Sequence, residues 1–229
     1  MPPVAANLRR VRDCIADAAA RAGRPSDDVT LVAVVKYAEL DWVRALLDEG
    51  VRDLGEARPQ QLAERAAMLP GDVTWHLIGS LQRNKAGLTL DAIGDGLIHS
   101  VDSARLARRL ATLAEDRGCR PRVLLQVNIT EEESKQGFTP AALRDRFAEL
   151  AASPSLRLDG LMTMAAKRTG PTDDGPRRAF DALRQLRDEL ATPSHPLPSL
   201  SMGMSGDFED AIAAGATHVR IGSTLFEDT

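Results

Sequence analysis

The chain is poor in cysteine. Cys14 and Cys119 are the only two, and nothing near them has the spacing of a metal site, so reduced thiols are expected. No apolar stretch is long enough to span a bilayer, and the N-terminus lacks the apolar core of a signal peptide. A cytoplasmic protein is expected. No basic run interrupts a chain of net charge −4, so a DNA or RNA partner is not supported. Low-complexity tracts and linkers are also missing, and residues 1–229 read as one domain of ordinary globular composition, 43% hydrophobic and 27% charged.

What is present begins with Lys36. It closes the apolar run Val29-Thr30-Leu31-Val32-Ala33-Val34-Val35, which reads as a strand buried on both faces. An ammonium group at the end of such a strand is costly to desolvate, and the same cost favours the neutral amine that attacks a carbonyl. A structural lysine that snorkels to the rim is the bland alternative. The other end of the chain argues against it. Leu200-Ser201-Met202-Gly203-Met204-Ser205-Gly206-Asp207 precedes a helical stretch, and His218-Val219-Arg220-Ile221 runs into Gly222-Ser223-Thr224. Both are strand ends that turn into Gly, Ser or Thr, where backbone N–H groups make a ready anion site.

Between these ends, strands and helices alternate. Strands are expected at 29–35, 52–54, 74–78, 96–100, 122–127, 157–161, 199–201 and 218–221. Helices are expected at 41–49, 60–68, 81–87, 103–117, 140–152, 175–190 and 208–214, with one more at 7–22 in front. Eight βα units of this kind predict an α/β fold: a single (β/α)8 TIM barrel with an extra N-terminal helix. A doubly wound open sheet is the alternative, although no Gly-x-Gly-x-x-Gly turn follows the first strand. Residues 167–176 read as a mobile loop.

Functional groups of a barrel gather at the carboxyl ends of its strands. Those ends carry Lys36, Glu56, Ser80, Asp102, Asn128, Thr163, Ser205 and the Gly222–Thr224 turn. A lysine opposite two phosphate turns, with Arg220 inside the last strand, suggests pyridoxal 5′-phosphate, whose aldehyde needs an amine and whose phosphate needs N–H donors. Other polar residues have blander readings. His76 fits a hydrogen-bonded core histidine, Glu56 a residue that holds a loop, and Lys135 half of an ion pair with Glu131, Glu132 or Glu133. Asn84 and Lys85 fit the end of a helix.

These segments, taken in order, resemble one family. Leu54-Gly55-Glu56, Trp75-His76-Leu77-Ile78-Gly79-Ser80-Leu81-Gln82-Arg83-Asn84-Lys85 and Gln126-Val127-Asn128-Ile129 join the Lys36 strand. Ser134-Lys135-Gln136-Gly137, Gly160-Leu161-Met162-Thr163-Met164, Ser201-Met202-Gly203-Met204-Ser205 and Val219-Arg220-Ile221-Gly222 follow. The chain looks like the pyridoxal phosphate homeostasis proteins, relatives of the barrel half of alanine racemase. That resemblance implies that Lys36 forms the Schiff base with pyridoxal 5′-phosphate, that Arg220 faces the pyridine nitrogen, and that Ser205, Gly222 and Ser223 hold the phosphate. Arginine cannot take up a proton from the ring nitrogen, so the ring would be a poor electron sink.

Two departures from the family pattern stand out. Ala57 replaces an Asn after Gly55-Glu56, and Phe226-Glu227-Asp228-Thr229 stands where similar proteins continue with Gly and Arg. The expected function is a monomeric carrier or buffer of the cofactor with little turnover, whose partners are apo forms of pyridoxal-phosphate enzymes. An amino-acid racemase or decarboxylase on the same barrel is the competing expectation, and a cofactor-free sugar-phosphate enzyme the third. Racemisation needs two bases, and Tyr37, the only tyrosine, would alternate away from Lys36 on a strand.

Overall fold

Short apolar runs bounded by turn residues become eight strands, and each amphipathic stretch between them becomes a helix that covers the sheet. The computed structural model describes residues 2–132, 135–166, 169–170 and 173–228. In chain order the elements are α1 (Val4–Arg21), β1 (Thr30–Val34), α2 (Leu40–Asp48), β2 (Asp53–Glu56), α3 (Pro59–Met68), β3 (Thr74–Leu77), α4 (Ala86–Ile93) and β4 (Leu97–Val101). They continue with α5 (Ala104–Arg117), β5 (Arg122–Gln126), α6 (Pro140–Ala151), β6 (Arg157–Met162), α7 (Gly175–Leu190), β7 (Ser199–Met204), α8 (Phe208–Ala213), β8 (His218–Ile221) and α9 (Ser223–Phe226).

All strands are parallel and pair in sequence order. The barrel closes where β1 meets β8, with Thr30 opposite His218 and Val32 opposite Arg220. The fold expected from the alternation is therefore the one observed, and the open sheet is excluded. Helix α1 buries Val4, Leu8, Val11, Ile15 and Ala18 at helical spacing and packs on α8 and α9. Its Asn7 side chain donates to the carbonyls of Leu225 at 3.3 Å and Glu227 at 2.9 Å, tying the end of the chain to its beginning. Helix α5 is capped by the Ser103 hydroxyl and ended by Gly118 in the left-handed region, φ 62.

Three elements depart from expectation. The helix expected at 81–87 lies at Ala86–Ile93 instead, after a single 3-10 turn at Arg83–Lys85. Strand β7 runs on to Met204, because Gly203 takes φ 91 where a Cβ would lie 2.6 Å from that of Ala211. Strand β1 ends at Val34, so Lys36 and Tyr37 fall in the following turn. Four residues of the expected 167–176 loop, at 167–168 and 171–172, lie outside the described residues.

Candidate functional site

The carboxyl ends of the strands surround a cavity of about 930 Å3. Its wall brings together all five residues singled out in the sequence: Lys36, Ser205, Arg220, Gly222 and Ser223. Ala57 also lines it, presenting a methyl group where the resemblance implies an Asn. Sequence reasoning missed Trp42 and Phe226, which stack at a 5.8 Å centroid distance and help wall the cavity, and Met164, which is exposed within it. An aromatic residue on each of two short helices gives no local signal of that meeting.

Lys36 is half-buried rather than sealed at a strand end. Its Nζ lies 5.1 Å from the centroid of the Tyr37 ring, within cation–π range. The turn is held from behind. Arg65 of α3 donates to the carbonyl of Val35 at 2.9 Å and to that of Ala38 at 2.6 Å, one on each side of Lys36-Tyr37. Glu56, fully buried, pairs with Arg65 Nε at 3.2 Å and accepts the Ala57 N–H at 3.2 Å. Burial raises the Glu56 carboxyl above its ordinary value, opposed by Arg65, the Ala57 N–H, Arg58 and Lys36. Glu56 holds a loop, as expected. Tyr37 does not point away on a strand: it shares the lysine's turn, lines the same cavity and is 78% exposed. Strand alternation ceases to apply once β1 has ended.

The two turns expected to bind an anion lie side by side. Ser205 Oγ accepts the Gly222 N–H at 3.4 Å, joining the turn after β7 to that after β8. Asp207 accepts the Met204 N–H at 2.6 Å and shapes the first turn. The backbone N–H groups of Ser205, Gly206, Ser223 and Thr224 have no hydrogen-bond acceptor among the described residues. Gly222 lets β8 approach β1 closely, since a Cβ there would stand 3.1 Å from Val34 Cβ. Gly206 faces open space, with nothing within 4 Å of such an atom.

Arg220 is buried on the floor of the cavity. It donates to Ser201 Oγ at 2.6 Å and to the carbonyl of Thr163 at 3.0 Å. Burial pushes its pKa down to about 10, opposed by the charge of Asp207, so the guanidinium stays charged at neutral pH. Below it, His76, His99 and His218 bring their rings together across the barrel interior at centroid distances of 5.1, 6.0 and 5.9 Å. His76 is the buried, hydrogen-bonded histidine expected; His99 and His218 carried no signal in the sequence.

Other expected positions lie outside this cavity. Lys135 pairs with Glu132 at 2.6 Å. Asn84 and Lys85 occupy the turn leading into α4. A second cavity, about 850 Å3 and lined by Arg83, Arg105 and Arg109, shares Ser80 with the first but holds neither Lys36 nor Arg220. Among the described residues no cluster of His, Cys, Asp or Glu could hold a metal ion, and no helix is long and apolar enough to cross a membrane.

The same arrangement of chain is found in known proteins. Residues 6–229 match the family model of the alanine racemase N-terminal domain. A pyridoxal phosphate homeostasis protein of Deinococcus radiodurans is 41% identical over 230 residues, covering 99% of both chains. That of Escherichia coli K12 is 36% identical over 233 residues, covering 99% of this chain and 97% of its own. The structure of PipY from Synechococcus elongatus PCC7942 with PLP bound superposes with a TM-score of 0.82 at 34% identity, over 98% of this chain and all of that one. Alanine racemase of Clostridium difficile 630 shares the fold, with a TM-score of 0.78 at 16% identity over 97% of this chain and 57% of its own. The chain belongs to the pyridoxal phosphate homeostasis protein family, built on the barrel of the alanine racemase N-terminal domain.

Proposed function

We propose that this protein binds pyridoxal 5′-phosphate in the 930 Å3 cavity and serves its homeostasis by buffering, carrying or donating it, without substantial catalytic turnover. The observation that carries this reading is the set of three N–H groups without an acceptor among the described residues, at Ser205, Gly206 and Ser223, in the wall of a cavity that also presents an amine. When bound, the cofactor supplies an aldehyde that condenses with a primary amine. Lys36 Nζ is the amine, oriented by the turn that Arg65 clamps. The two Ser-Gly turns hold the phosphate dianion, Ser205 adding its hydroxyl. Arg220 faces the ring nitrogen. At a pKa of about 10 it has no vacancy for a proton at neutral pH, so it leaves that nitrogen unprotonated and the ring a weak electron sink.

A racemase reading would need two bases on opposite faces of the substrate carbon. Lys36 and Tyr37 are adjacent in one turn, with the ammonium over the phenol ring, so they approach from the same side. The geometry favours retention of the cofactor over proton shuttling. Within this reading the chain is a single-domain monomer of the cytoplasm, where Cys14 and Cys119 stay free, and it passes pyridoxal phosphate to apo-enzymes that require it.

Binding titrations with pyridoxal phosphate and pyridoxal separate the phosphate grip from the rest of the site. Hydrogen bonds to a charged group contribute about 1.5–3 kcal/mol each, so Ser205→Ala is expected to weaken pyridoxal phosphate binding by roughly 10- to 100-fold. Pyridoxal, which lacks the phosphate, is expected to change little. Equal losses for both ligands contradict the phosphate assignment.

A further inference from the structure

Five polar groups form an unbroken hydrogen-bonded chain through the barrel interior. Arg220 Nη1 lies 2.6 Å from Ser201 Oγ, which lies 2.7 Å from His99 Nδ1. His99 Nε2 is 2.9 Å from His76 Nδ1, and His76 Nε2 is 2.9 Å from Asp53 Oδ1. The chain starts on the cavity floor and ends at the first residue of β2, at the opposite face of the barrel, where Asp53 is 35% exposed.

The direction of every bond is fixed from both ends. Arginine can only donate, so Ser201 Oγ accepts from Arg220. Ser201 is fully buried, and the acceptor within reach of its hydroxyl proton is His99 Nδ1, which must therefore carry a lone pair. His99 then bears its proton on Nε2 and donates to His76 Nδ1. At the other end, the Asp53 carboxylate accepts from His76 Nε2–H, and in a neutral His76 ring Nδ1 is then the acceptor that the His99 Nε2–H requires. The His99–His76 bond then runs from His99 Nε2–H to His76 Nδ1, in line with both ends of the chain. Burial holds the His99 imidazole well below its ordinary pKa, and His76, His218, Arg220 and Arg122 all oppose a further proton there.

We infer that His99 and His76 are positioning residues: as two Nε2–H tautomers they lock Ser201 and thereby the Arg220 guanidinium toward the cofactor's ring nitrogen, and they link that buried cation to the Asp53 carboxylate across the barrel. This inference rests on the functional reading above for its ligand. The Arg220 guanidinium donates to the neutral oxygens of Ser201 and Thr163; beside the charge of Asp207, a run of aligned hydrogen-bond dipoles ending on the Asp53 carboxylate adds compensation. His218, packed 6.0 and 5.9 Å from the two rings, keeps the chain enclosed.

Nitrogen-15 NMR of histidine-labelled, cofactor-free protein reads the tautomers directly, with His76→Gln and His99→Gln assigning the signals. Both rings are expected as Nε2–H tautomers at neutral pH. An Nδ1–H tautomer or an imidazolium at either ring overturns the inference. Pyridoxal phosphate titrations then test the positioning role. Asp53→Asn, far from the cavity and half-exposed, is expected to weaken binding about threefold, and His99→Leu about tenfold with a shifted absorption maximum of the bound cofactor. His99→Gln, which keeps one acceptor and one donor, is expected to restore both toward wild type. Wild-type affinity and an unshifted band in Asp53→Asn and His99→Leu overturn the positioning role. A wild type that does not bind pyridoxal phosphate sinks the functional reading alone, and the tautomers still decide whether the chain is ordered as inferred.

Discussion

Arg65 and Glu56 act on Lys36 without lining the cavity: one donates to the carbonyls flanking the lysine's turn, and the other, fully buried, anchors the guanidinium that does so. His218, in the histidine cluster beneath Arg220, contributes at the same scale through its protonation. His218 is pushed down to about 3, chiefly by burial and then by His76, whereas an unfolded chain takes up that proton near the ordinary value of 6.5. The unfolded state therefore binds more protons between about pH 6.5 and 3, and stability is lost as pH falls through that window. Urea unfolding between pH 6 and 4 is expected to give a free energy that falls more steeply for wild type than for His218→Gln. The difference is about 1.4 kcal/mol per pH unit, and identical slopes contradict the assignment. Residue by residue, the sequence made legible what stands within or just after a strand in a recognisable run. Lys36, Arg220 and the Ser205 and Gly222 turns are of that kind. His99 and Ser201 stayed unread because their meaning lies in contacts across the barrel, 102 residues apart. Tyr37 was misread because period-2 alternation was carried past the end of β1.

At the scale of elements, strands were the legible part, since a strand buried on both faces announces itself as an apolar run. Helix α4 was not legible. Ala86, Thr89, Leu90 and Ile93 are buried in an almost uniformly apolar octet, so no polar face marks its limits, and the polar residues 82–85 before it resemble a helix start. The strand ends are also where packing is tightest. A Cβ on Gly79 would stand 2.2 Å from the Ala57 carbonyl oxygen, a backbone atom that cannot rotate away. Gly79→Ala is expected to cost about 3 kcal/mol in urea unfolding, against about 0.5 kcal/mol or less for Gly206→Ala, which meets open space. Comparable losses at the two glycines contradict the close approach of β2 and β3 at the cavity rim.

For the molecule as a whole, eight parallel strands bring residues from opposite ends of the chain to one face, with Lys36 after β1 beside Arg220 in β8. That face suits holding a cofactor more than running it through a reaction. With Lys36 and Tyr37 neighbours in one turn, Nζ 5.1 Å from the ring centre, and Arg220 charged, incubation of the pyridoxal-phosphate-loaded protein with common L-amino acids is expected to yield no racemised or decarboxylated product by chiral chromatography. Turnover on the order of 1 s−1, within the usual enzyme range, contradicts the carrier reading. The proposed function requires that this cavity hold pyridoxal phosphate through Lys36. Borohydride reduction of the protein mixed with pyridoxal phosphate, followed by peptide mass mapping, tests it most directly. A single pyridoxyl-phosphate adduct on Lys36, lost in Lys36→Ala, is the expected result; an adduct on another lysine with Lys36 unmodified contradicts the assignment.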